Sequence, residues 1–220
     1  MIRIDLQFFG GRGSRSGSGR YGGDGGVGHA ISTTSLVSER EGRQAIVDET
    51  LQVFSDFYDE YGTVVTDIEI AIMDEGGAGT LAYYDMGGNI AFNNSFFDSK
   101  TMDTAYARCV ADGFHPSNGS KTGLQAVAAH EIGHKLTADV ALKMGMSSTD
   151  IDGAATKIVK EARKSTKHKG VVQMASKIST YATHSNAEAI AEAISDVYCN
   201  GKKAKSESKA IVGVVNKYLK

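Results

Sequence analysis

Apolar side chains at Val47, Leu51, Phe54 and Tyr58 fall at helical spacing, and Ile46, Val53 and Phe57 widen the same face. Asp48, Glu49, Gln52 and Asp56 supply the polar side, which predicts a helix over 35–60 that stops near Gly62. The period then changes. Val64–Met73 largely alternates and is rich in β-branched residues, as a strand does. Asp74-Glu75-Gly76-Gly77 reads as a turn, and Leu81–Tyr84 and Asn89–Phe92 as two short strands separated by Gly87-Gly88. From Thr101 onward the pattern is helical, over 101–111, 124–139, 154–168, 171–178, 187–199 and 206–219. A loop over 112–123 carries the only proline, Pro116. Strands early and helices late, without strict alternation, predict an α+β fold.

Gly, Ser and Arg dominate Gly10–Gly28, a composition that cannot offset the entropy of ordering. Residues 1–32 are therefore predicted to be a flexible tail whose apolar tip, Ile2–Phe9, docks on the domain, on a partner chain, or nowhere. Residues 33–220 form one domain. A net charge of −2 asks for no nucleic-acid or anionic-membrane partner. No apolar run approaches the roughly 20 residues of a membrane span. The N-terminal apolar stretch is too short and too broken for a signal peptide, so export is not expected. Cys109 and Cys199 are far apart, lack a C-x-x-C pattern, and read as free packed thiols.

Residues 130–134 read His-Glu-Ile-Gly-His. On a helix, positions i and i+4 share a face, so His130 and His134 can bind one Zn²⁺. Glu131, turned toward the open coordination position, can take a proton from the metal-bound water. The lead-in Leu124–Ala129 is apolar and anchors this helix in the core. Gly133 lets the chain pack closely or leaves room for another ligand helix. A catalytic zinc normally has a third protein ligand. The extended pattern with a glycine and a third histidine fails, because Thr137 and Val140 stand in those places. The remaining candidates are His168, His184 and the pair Glu188 and Glu192. That pair is spaced i, i+4 on a helix kept slim by Ala187, Ala189, Ala191 and Ala193, able to press against another helix. In this reading Glu188 binds zinc and Glu192 hydrogen-bonds a ligand histidine and fixes its tautomer. Asp196 continues the same face and could serve similarly. A solvated acidic stripe is the competing reading of this helix.

The stretch Ile178–Ala193 resembles the second signature of zincins related to the anthrax lethal factor catalytic domain: Tyr181, Asn186, Glu188, Ala191, Glu192 and Ala193 match it. Gly113-Phe114-His115-Pro116 has the look of phage and toxin members of that group. Gly88–Asn93 resembles their edge strand that pairs with substrate. The resemblance spans roughly residues 88–200. It implies a zincin-like domain with a small mixed sheet packed on the active-site helix. It implies Glu188 as third zinc ligand, and a Tyr181 hydroxyl that stabilises the tetrahedral intermediate. The activity implied is zinc-dependent endopeptidase action on a peptide or protein substrate. The first 19 residues are similar to the leading segment of small proteins from phage and prophage head-morphogenesis regions. This suggests a phage or prophage product, in the bacterial host cytoplasm or the virion, whose tail contacts head proteins. Two rivals are a non-catalytic head or assembly protein on the same scaffold and a delivered toxin peptidase.

Other histidines carry weaker signals. His115, in the loop before the zinc helix, contacts substrate or has no role. His184 lines the cleft or is exposed. His168 lies in a basic helix end, where cations suit the helix dipole, and His29 lies in the tail.

Overall fold

The computed structural model describes residues 3–7, 31–32, 44–63, 65, 68–71, 80–85 and 88–220. The fold is mixed α+β. Five strands, β1 (Arg3–Gln7), β2 (Ile31–Ser32), β3 (Ile68–Ala71), β4 (Thr80–Asp85) and β5 (Ile90–Asn93), form one sheet in the order β1-β4-β5-β3-β2. β3 and β5 run parallel, and the other neighbours are antiparallel. The helices are α1 (Gln44–Tyr61), α2 (Ser99–Ala111), α3 (Gly123–Lys143), α4 (Ile151–Lys164), α5 (Val171–Ala175), α6 (Asn186–Asn200) and α7 (Ser206–Leu219). Single 3₁₀ turns occupy Tyr181–Thr183 and Gly201–Lys203. No helix among the described residues is long and apolar enough to cross a membrane.

Several sequence expectations change here. Two segments within residues 1–32 are strands of the sheet: Arg3–Gln7, in the apolar tip for which docking on the domain was one reading, pairs with β4, and Ile31–Ser32 pairs with β3. Backbone hydrogen bonding to a strand edge orders them, a source of order that composition does not reveal. The Gly/Ser/Arg run between them, with His29, lies outside the described residues. So do residues 35–43 of the first predicted helix, the turn at 74–77 and Gly87. The segment resembling a substrate-pairing edge strand is not an edge. β5 is flanked by β4 and β3, and its four residues are all buried. A strand apolar on both faces seeks the middle of a sheet. The helix predicted over 171–178 stops at Ala175.

α3 is buried nearly all round: 16 of its 21 residues are inaccessible, so it is the central helix of the domain and not an amphipathic surface one. Its start is set by a capping box. Thr122 Oγ1 accepts from Gln125 N at 3.2 Å, and Gln125 Oε1 accepts from Thr122 N at 3.1 Å. Ile132 and Leu136, with Phe92 and Phe97, belong to the one apolar core.

α6 crosses α3 at Gly133. A Cβ added there would lie 2.7 Å from the Ala191 Cα, a backbone atom that cannot swing aside. Gly133→Ala should therefore destabilise the protein by about 1–3 kcal/mol, as overpacking does, despite the roughly 1 kcal/mol that alanine gains over glycine in a helix. Urea denaturation of the two proteins measures it, and an unchanged or raised midpoint would show that the helices can part without cost.

Candidate metal centre

His130 and His134 stand one turn apart on α3. Their Nε2 atoms are 3.2 Å from each other. Glu188 reaches across from the first turn of α6. Its Oε2 lies 3.1 Å from His130 Nε2 and 3.6 Å from His134 Nε2. Ser185 caps α6 by accepting from Glu188 N at 3.1 Å, which fixes where the carboxylate emerges. All three side chains are buried.

The second acidic residue of α6 decides what these atoms can do. Glu192 Oε1 lies 2.8 Å from His130 Nδ1. A carboxylate only accepts, so Nδ1 carries the proton, and in the neutral ring Nε2 presents a lone pair. That lone pair faces the second imidazole and an anionic oxygen. With His134 in the same tautomer, three electron-rich atoms converge on one point, an arrangement that a cation satisfies. A zinc ion with ligands at about 2.0–2.1 Å in tetrahedral array sets them about 3.3 Å apart. The three separations, 3.1, 3.2 and 3.6 Å, bracket that figure. His130, His134 and Glu188 are thus a group able to hold a metal ion.

The electrostatics of these side chains point the same way. Burial would lower His130, but hydrogen bonds to Glu188 and Glu192 outweigh it and push the imidazolium up to about 10. Burial acts to raise Glu188, yet His134 and His130 beside it bring it down to about 2. Glu192 is likewise held low against burial by His115 and His130. His134 is lowered, chiefly by burial.

Glu131, next to His130, is fully buried. Tyr181 is buried too, with its ring centroid 5.9 Å from that of His130. The structure therefore brings His130, Glu131, His134, Glu188, Glu192 and Tyr181 into one region. His184 is exposed and packs on the Tyr181 ring, 4.9 Å between centroids, and is not one of the three converging residues. His168 pairs with Glu207 at 2.7 Å, elsewhere in the fold. Asp196 does not repeat the role of Glu192. It accepts from Asn200 Nδ2 and Lys205 N, both at 2.9 Å, and so anchors the α6–α7 junction. Cys109 and Cys199 are free and buried, and burial pushes each thiol up to about 12.

Two polar residues of this region take places that the sequence does not suggest. His115 Nδ1 lies 3.0 Å from Glu192 Oε1, and Ser179 Oγ donates to Glu192 Oε2 at 2.7 Å. The sequence offers His115 either substrate contact or no role, and it gives no signal for Ser179. No sequence spacing links residues that meet across 77 and 13 positions.

Comparison with known protein families, with curated proteins and with solved structures finds no match to this chain.

Removing the carboxylate that bridges the helices should abolish the centre. Glu188→Ala is expected to weaken metal binding by more than the roughly 10–100-fold that follows loss of an outer hydrogen-bond partner. Metal content by atomic emission, alongside a chelator competition, reads this directly. A variant as metal-rich as wild type would remove Glu188 from the ligand set.

Proposed function

We propose that the chain is a zinc-dependent endopeptidase of the zincin type, phage- or prophage-encoded, acting on a peptide or protein substrate. The observation that carries this reading is the convergence of His130, His134 and Glu188 on one point, with Glu131 buried beside them. Zinc with three protein ligands keeps a position open, and imidazole with carboxylate is a donor set it favours. A small mixed sheet beside a buried helix that carries both histidines agrees with a zincin scaffold.

Bound zinc would lower the pKa of a water toward about 7 and polarise the scissile carbonyl. The protein's own residues supply the remainder. Glu131 accepts the proton of the attacking water and delivers it to the leaving amine. Tyr181, packed against His130, donates its hydroxyl hydrogen to the oxyanion that develops on the carbonyl. Glu192 holds the His130 ring with Nδ1 protonated, so that Nε2 stays a ligand.

Two substitutions separate these roles. Glu131→Gln is nearly isosteric and should keep its metal while hydrolysis falls on the order of 10²–10⁴-fold. A peptide-library digest by wild type and variant, with metal content measured on both, checks this. Activity surviving in the variant would rule out Glu131 as the base, and a wild type that holds zinc yet cleaves nothing would favour a binding or assembly protein.

Tyr181→Phe should lower kcat by the equivalent of about 2.7–4 kcal/mol and leave KM and zinc content nearly unchanged, because the interaction is made in the transition state. If Tyr181 only fills space between Phe114 and His130, phenylalanine does so equally and the rate stays normal.

A further inference from the structure

The Glu192 carboxylate collects donors from three separate segments. His115 Nδ1 comes from the loop between α2 and α3 at 3.0 Å, His130 Nδ1 from α3 at 2.8 Å, and Ser179 Oγ from the stretch ahead of Tyr181 at 2.7 Å. All four side chains are buried. The two histidines share Oε1, while Ser179 holds Oε2. The outer two segments are also joined through their backbones: Thr180 N donates to Gly113 O at 2.9 Å and Tyr181 N to Phe114 O at 3.1 Å. Loop, carboxylate and Tyr181 segment thus form one braced unit.

His115 lies flat on Tyr106, with centroids 5.3 Å apart and planes 4° apart. It stands edge-on to His130 at 6.3 Å and to Tyr181 at 5.4 Å. Its Nε2 is buried and has no hydrogen-bond partner among the described residues. A ring needed only to fill this space would be better as phenylalanine, since a buried unpaired nitrogen is unfavourable. What the imidazole adds is the single Nδ1–H directed at Glu192.

We propose that His115 is a positioning residue of the metal centre. Together with Ser179 it holds Glu192 where that carboxylate keeps the His130 ring turned with Nε2 toward Glu188 and His134. Ser179 also ties the Tyr181 segment to the same carboxylate. This role rests on the metal-centre reading above. Without His115, the oxygen that orients His130 has lost its other donor, and carboxylate and ring can turn together.

The test uses the purified full chain, with zinc and, separately, cobalt(II) as probes. His115→Phe retains a ring on Tyr106 and deletes the donor. His115→Asn returns an N–H near the position of Nδ1. Zinc affinity should fall about 10–100-fold in the Phe variant, and most of it should return in the Asn variant. The visible spectrum of the cobalt protein should change in Phe and resemble wild type in Asn. A folded Phe variant with wild-type zinc affinity and cobalt spectrum overturns the positioning role and leaves the metal centre standing, and so does an Asn variant as weak as Phe. A wild-type protein that binds neither ion overturns the centre and this role with it. If His115→Phe does not fold, Ser179→Ala removes the companion donor, and unchanged zinc binding there overturns the proposal equally.

Discussion

At Gly133 the backbone of α3 has no side chain between it and α6, and Ala191 answers with the smallest side chain available. Imidazole and carboxylate groups reach only a few ångströms from their helices, so ligands on two helices can meet only where the axes run this close. His130 precedes Gly133 by three positions, and Glu188 precedes Ala191 by three, so each ligand sits one turn from the crossing. Glu192 follows Ala191 directly and meets the other nitrogen of the same histidine. One contact between backbones therefore sets both the inner and the outer partner of His130.

The crossing brings together groups that water would otherwise solvate. Two imidazoles and two carboxylates in a dry interior are unfavourable unless their charges pair and their hydrogen bonds close. His130 pairs in charge with Glu188 and Glu192, which acts to raise the imidazole and lower the glutamates, while the hydrogen bonding stays open at His134 Nδ1 among the described residues. Because imidazole and carboxylate ligands bind a metal only when deprotonated, an ion held here would compete with protons, and its affinity would depend on pH.

Most helices of the second half were legible because they are long and periodic, the five-residue α5 being the exception, and the histidine pair because i, i+4 spacing puts both rings on one face of a helix. The partnership of Glu188 and Glu192 with that pair was one of several readings, beside His168, His184 and a solvated acidic stripe, and the resemblance together with an alanine-lined helix favoured it. What stayed hidden is non-local. Nothing in the Arg3–Gln7 segment tells that the β4 edge will pair with it. The central place of Ile90–Asn93 depends on β3 joining it in parallel register from more than 20 residues away. Asp196 looks equivalent to Glu192 by spacing, but one turn further along α6 its neighbour is the start of α7. His115 and Ser179 meet only because the loop and the Tyr181 segment fold onto the same carboxylate.

The two histidines of α3 are not equally supported. His130 is held from behind by Glu192, whereas His134 Nδ1 is buried with no hydrogen-bond partner among the described residues. Histidines that ligate metals nearly always donate their second nitrogen to a partner that stiffens the ring and raises its basicity. An ion held here would therefore sit on one firm imidazole and one yielding one. Of the two rings, His134 is the one whose orientation no hydrogen bond at Nδ1 fixes among the described residues, so any looseness of the group begins there.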